Sequence, residues 1–135
     1  MMRIGQAARL SGVSAKLIRY YETVGLLTGA GRQKNGYRIF DERNVHELRF
    51  IKRARSLGFP IQQIDELLRL WRDNKRPSRK VRALAERHVQ TVTTRMQAHR
   101  VIIKVLGRLI ESCKGDDRPD CPILDELSVG DVPKP

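Results

Sequence analysis

Residues 3–27 read RIGQAARLSGVSAKLIRYYETVGLL, and the spacing predicts two short helices joined by a sharp turn. Ile4, Ala7, Ala8 and Leu10 form one face of the first helix, and Gly12 permits the reversal. Ser14 is placed to cap a second helix that turns Leu17, Ile18 and Tyr21 inward. This order is the grammar of a helix-turn-helix. Lys16, Arg19 and Tyr20 are then left pointing outward. A helix in the major groove reads base edges with a few residues near its N-terminal part while its neighbours hold phosphates. These three are therefore candidate DNA contacts.

The next segment, GAGRQKNGYRIFD (29–41), has the Asn35-Gly36 turn signal, and Tyr37, Ile39 and Phe40 favour a short strand. A basic hairpin directly after a helix-turn-helix is a wing. Lys34, Tyr37 and Arg38 would set charge and a hydrogen-bonding ring beside the DNA backbone. Asp41 is expected to cap a helix over about 42–57, with Val45, Leu48, Ile51, Ala54 and Leu57 on one face and Gly58 as the stop. Arg55, near its end, would reach further phosphates. Phe59-Pro60 opens another helix, whose apolar stripe is Ile61, Ile64, Leu67, Leu68 and Trp71.

From Ser78 to about Ser112 there is no Pro and only Gly107, so one long helix is expected, roughly 50 Å at 1.5 Å per residue. Val81, Ala85, His88, Val92, Met96, His99, Ile103, Leu106 and Ile110 follow steps of three or four, a coiled-coil seam. A lone helix of that length needs a partner, and a second copy of the chain is the economical one. His88 and His99 read as polar contacts between the two helices. Beyond Cys113 a short helix is expected to start at Pro122 over PILDEL, and VGDVPKP reads as a frayed tail.

The fold class is therefore mainly α. Residues 1–76 read as a winged helix-turn-helix domain with connector helices, 77–112 as a dimerisation helix, and 113–135 as a loop, short helix and tail. The 135 residues carry a formal net charge of +12, the footprint of a protein that neutralises phosphates. Residues 1–76 hold 16 basic and 7 acidic side chains, whereas 113–135 hold 3 and 6. The acidic end suits a cation rather than a phosphate. No apolar run approaches the roughly 18 residues that cross a bilayer, and the N-terminus lacks a secretory apolar core. A cytoplasmic location is expected, with thiols reduced.

Cys113 and Cys121, the only cysteines, flank the loop CKGDDRPDC (113–121). Two thiols satisfy a soft monovalent ion such as Cu(I), Ag(I) or Au(I). Zinc asks for four ligands, and nearby Asp116, Asp117 and Asp120 offer only hard oxygens. An S–Cu–S unit carries one negative charge, which amides at the start of the following helix can balance. A disulfide, or two unrelated free cysteines, are the alternatives, as is a thiol redox sensor. Two cysteines exclude a four-thiolate iron–sulfur cluster within one chain. No nucleophile–base pattern or phosphate-cradling glycine loop supports an enzyme. A metal-responsive DNA-binding regulator is the expected class, and a metal-independent architectural DNA-binding protein is its rival.

The stretch 3–27, then NGYRIF, then RARSLGFPIQQIDELL resemble the MerR family of transcriptional regulators, and CKGDDRPDCPI with its Cys-x7-Cys spacing is similar to the copper-responsive CueR/HmrR branch. The resemblance implies a homodimer joined by an antiparallel coiled coil on a palindromic promoter whose polymerase-recognition elements are spaced too widely. It implies that Cu(I) at Cys113 and Cys121 changes how the bound protein bends and undertwists the DNA, realigning both elements for RNA polymerase. The genes activated would serve copper efflux and detoxification. Relatives that sense zinc or mercury have a third cysteine at the start of the dimerisation helix, where this chain has Ser78, as copper-type members do. Ser78 is also placed to be a plain helix N-cap.

Overall fold

The computed structural model describes residues 1–129, which form six helices and one two-stranded sheet. In chain order these are α1 (Ile4–Ser11), α2 (Ala15–Thr23), β1 (Gly31–Arg32), β2 (Arg38–Ile39), α3 (Glu42–Ser56), α4 (Ile61–Arg72), α5 (Ser78–Ser112) and α6 (Pro122–Val129). The expected frayed tail lies outside the described residues from position 130 onward. Contacts divide the chain into one unit, Met1–Ala85, and a second from Glu86. No helix among the described residues is long and apolar enough to cross a membrane.

The turn between α1 and α2 forms as its residues dictate. Gly12 takes φ +76 and donates its N–H to the Ala8 carbonyl at 2.9 Å. The Ser14 hydroxyl oxygen accepts the Leu17 N–H at 3.2 Å and caps α2. Two expected inward residues face out instead: Leu10 is 46% exposed and Leu17 37%. The stripe that packs inward on α1 is Ile4, Ala7, Ala8 and Ser11, steps of three and four that leave Leu10 on the opposite side. On α2, Ile18 and Tyr21 are buried, which turns the adjacent Leu17 away. Gly12→Ala is expected to cost about 1–2 kcal/mol in urea denaturation, from the left-handed backbone. The added Cβ would also fall 2.6 Å from Lys52 Nζ, but that flexible chain end can move aside.

Asp41 caps α3 as expected, and Asn44 completes a reciprocal pair. Asn44 N–H donates to Asp41 Oδ1 at 2.9 Å, and Asp41 N–H to Asn44 Oδ1 at 3.0 Å. The remaining amide group of this fully buried asparagine donates to the Thr28 carbonyl at 2.8 Å, so it ties the start of α3 to the base of the hairpin. Gly58 stops the helix at φ +85. Leu57, expected on the apolar face, follows the last helical turn and is 53% exposed. Trp71 at the end of α4 is also partly outside the core, stacked on Phe50 with ring centroids 4.7 Å apart.

The core of the first unit draws on all four helices before α5 and on Phe40, just past β2: Ala7, Ile18, Tyr21, Phe40, Leu48, Ile51, Ile64 and Leu68 among others. Glu47 lies inside the same unit, its side chain 4% exposed. It pairs with Arg43 one turn earlier at 3.4 Å and with Arg72 of α4, whose guanidinium also reaches the Leu26 carbonyl at 3.5 Å. In α5, Leu84 and His88 are buried, while Val92, Met96, Ile103, Leu106 and Ile110 of the expected seam are exposed in the single chain.

Candidate nucleic-acid interface and thiol pair

The second helix of the helix-turn-helix presents Lys16, Arg19 and Tyr20 to solvent, all exposed, as its buried face at Ile18 and Tyr21 requires. The wing is short. Gly31 pairs with Ile39 and Arg32 with Arg38, and the turn closes through the Gly36 N–H donating to the Gln33 carbonyl at 2.9 Å. Gly36 takes φ +86 there. Lys34 and Tyr37 stand at its tip, both exposed.

Arg38 has a second attachment. Its guanidinium lies 3.0 Å from the carboxylate of Glu22, a side chain only 8% exposed, so it joins the wing to the end of α2 while remaining about half exposed itself. Arg55 donates to the Tyr21 hydroxyl at 2.8 Å, which holds the guanidinium further toward its charged form and ties it to α2. Arg19, Tyr37 and Arg38 line one groove of about 910 Å³ between α1, α2 and the wing. Lys16, Tyr20, Lys34 and Arg55 are not among its lining residues. Arg3 and Arg9, which the sequence reading did not single out, join that lining. Only the three-dimensional return of the hairpin toward the N-terminal segment reveals them.

At the other end of the chain the thiols sit at two helix ends. Cys113 follows α5 and donates its N–H to the Leu109 carbonyl at 3.0 Å, and the Cys121 carbonyl accepts the first bond of α6 from Asp125 N–H at 3.0 Å. Both cysteines are free and half-buried. The expected start of α6 at Pro122, with Asp125 in its first turn, is what forms. Between them Gly115 takes φ +63, and Asp116 Oδ1 accepts the Arg118 N–H at 2.9 Å, shaping a tight loop. No group of three His, Cys, Asp or Glu side chains suited to a metal ion occurs among the described residues. The N-cap expected of Ser78 is displaced by one position: α5 begins at Ser78 itself, and Lys80 N–H donates to the Pro77 carbonyl at 3.1 Å.

Comparison with known proteins agrees with this architecture. Residues 2–71 match the family described as MerR HTH family regulatory protein, and residues 45–109 match the one described as MerR, DNA binding. Heavy metal-dependent transcription regulator 2 of Rhizobium meliloti is 47% identical over 129 residues, 96% of this chain and 88% of that protein. The HTH-type transcriptional regulator CueR of Salmonella typhimurium is 36% identical over 127 residues, 94% of this chain and 92% of that protein. Among solved structures, a transcription regulator from Ralstonia metallidurans CH34 in complex with lead(II) superposes with a TM-score of 0.83 at 31% identity, covering 94% of this chain and 99% of that one. These relatives are transcription regulators, not enzymes. With both family matches spanning the winged domain and most of the long helix, the chain belongs to the MerR family of helix-turn-helix regulatory proteins.

Proposed function

We propose that this chain is a Cu(I)-responsive transcriptional activator that holds the ion between Cys113 and Cys121, with Ag(I) and Au(I) as alternative ligands, and works as a homodimer on promoter DNA. The observation that carries the metal assignment is the donor set: two free, half-buried thiols, one just past the end of α5 and one just before the start of α6. Cys113 and Cys121 would hold a cuprous ion through their two soft sulfurs, a donor set that suits it without further ligands. Asp116, an oxygen donor that zinc would need, is already engaged by the Arg118 N–H. Cys121 precedes the N-terminal amides of α6, which can offset the negative charge of a bis-thiolate unit. The lead(II) carried by the Ralstonia structure shows that this fold accommodates other metals in other chains, so the choice rests on donors rather than on architecture.

The same proposal gives residues 77–112 to dimerisation through the exposed apolar positions of α5, and residues 113–135 to sensing. Lys16, Arg19, Tyr20, Lys34, Tyr37, Arg38 and Arg55 serve as the DNA contacts, and RNA polymerase is the partner at the promoter. Deforming a duplex costs a few kcal/mol, a scale that a metal-driven shift in the dimer can supply. The test is transcription in vitro from the chain's own upstream promoter, with Cu(I), Zn(II) or a thiol oxidant added in turn to reduced protein. Activation by Cu(I) alone supports the reading. Activation by the oxidant in metal-free buffer would indicate a redox sensor instead, and output that ignores all three would indicate an architectural protein.

Two substitutions probe its separate halves. Arg19→Ala is expected to weaken operator binding and to reduce the slope of log K against log salt by about 1. A fluorescence-anisotropy titration across salt checks this, and an unchanged slope contradicts the groove assignment. Ser78→Cys adds a third soft donor at the start of the long helix, so promoter output should begin to respond to Zn(II). A response still confined to Cu(I) would show that position 78 does not set selectivity.

A further inference from the structure

One side chain from before the first helix ties together both arms of the wing. Arg3 lays its guanidinium over the Tyr37 ring, with Cζ 4.3 Å from the ring centroid. Its Nε and Nη2 both donate to Gln33 Oε1, at 3.3 and 3.2 Å. Gln33 and Tyr37 are themselves partners across the hairpin, the Gln33 N–H donating to the Tyr37 carbonyl at 2.8 Å. Arg3 is held in place by the residue before it: Met2 and Phe40 exchange two backbone hydrogen bonds of 2.7 Å, extending the hairpin's far edge.

This matters because the wing has little else to fix its pose. Each strand is two residues long, and every residue from Gly31 to Arg38 is exposed. An isolated two-stranded hairpin is marginal in water. Its base is secured by Arg38 on Glu22 and by Asn44 on the Thr28 carbonyl. At the tip, the attachments to the rest of the domain among the described residues are the two bonds to Gln33 and the stacking on Tyr37, all from Arg3.

We propose that Arg3 is the positioning residue of the wing, holding Lys34, Tyr37 and Arg38 in the pose that meets the DNA backbone. The proposal rests on the reading of the wing as a DNA contact. Lysine cannot substitute for it, because a point charge lacks the planar fork that bonds one oxygen through two N–H groups while stacking on a ring.

Arg3→Lys keeps the charge and so separates the two roles Arg3 can have. If Arg3 merely adds a positive charge near the DNA, the lysine variant binds the operator like the original. As the wing's anchor, its loss weakens operator affinity about 10-fold and lowers the salt slope by roughly 1 to 2, because the wing's own cations disengage. Thermal melting should stay unchanged. Gln33→Leu, which removes the acceptor of both Arg3 bonds at a residue not assigned to the DNA, should produce part of the same loss, and adding it to Arg3→Lys should produce little further. Hydrogen exchange on the DNA-free protein gives an independent reading: the Gln33 and Gly36 amides should exchange faster in Arg3→Lys while α3 amides do not. Wild-type affinity and slope in Arg3→Lys, additive losses in the double variant, or unaltered wing exchange would each overturn the proposal. A loosened wing in a protein whose parent ignores the operator would instead overturn the reading of the wing as a DNA contact.

Discussion

Cys113→Ser and Cys121→Ser are each expected to abolish Cu(I)-driven transcription while leaving operator binding within about twofold of the parent. A hydroxyl is a hard, weakly coordinating donor, and a site with two donors loses half its set in either variant. Replacing residues that only orient a metal ligand typically costs 10–100-fold in affinity, so losing the ligand itself should exceed about 100-fold. The DNA contacts assigned above all lie between Lys16 and Arg55, in the unit Met1–Ala85, and neither substitution changes charge there. Run-off transcription over a Cu(I) titration, paired with an operator-binding curve, checks both halves. Full activation by either serine variant would remove that cysteine from the site. Lost DNA binding would point to misfolding rather than sensing.

Glu47→Ala carries the largest expected effect on stability, about 3 kcal/mol or more in urea denaturation. Its carboxylate is almost wholly buried between α3 and α4, accepts a hydrogen bond from Arg72 and forms an ion pair with Arg43. Breaking a buried pair by removing one partner typically costs 3–5 kcal/mol, since the surviving charge loses its counter-ion. Here the arginines are 75% and 45% exposed and can turn to water, which places the effect at the low end of that range. The alanine also leaves the space of the lost carboxylate unfilled. Glu47→Gln keeps the shape and one acceptor for Arg72 and should fall between the two. A loss under about 1 kcal/mol for Glu47→Ala would mean that the arginines, not the carboxylate, set the contact between α3 and α4.

The residues legible in the sequence were those whose role is local. Gly12, Ser14, Asp41 and Gly58 announce turns and caps through their own backbone preferences, and each occupies the position expected of it. The long helix from Ser78 to Ser112 and the start of α6 at Pro122 were legible for the same reason, through uninterrupted helical sequence and a favoured first residue. Glu47 and Asn44 were not. Each is a polar residue on a helix rich in charge, and the partners that justify burying them stand 25 and 16 positions away. Leu10 and Leu17 failed for the complementary reason: apolar character placed them inside, whereas the narrow stripe of a short helix admits only the residues in phase with it.

The candidate site divides along the same line. The spacing of Cys113 and Cys121 and the helix ends beside them were visible in the sequence, because Gly, Asp and Pro between two helical patterns shape a loop by themselves. Arg3 and Arg9 gave no such signal. They precede or sit within the first helix, and only the folding of residues 33–38 back toward them creates a shared groove. The pairing of Arg38 with Glu22 was hidden too, since a basic wing read alone assigns every cation to solvent or DNA.

X-ray absorption at the copper edge of the anaerobic, reduced protein, loaded with one Cu(I) equivalent per chain against a competing chelator, tests the central claim most directly. The account predicts two sulfur neighbours per copper in a linear, two-coordinate environment, and no such species once both cysteines are serine. A three- or four-coordinate site with nitrogen or oxygen neighbours, or failure to retain the ion against the chelator, would contradict it.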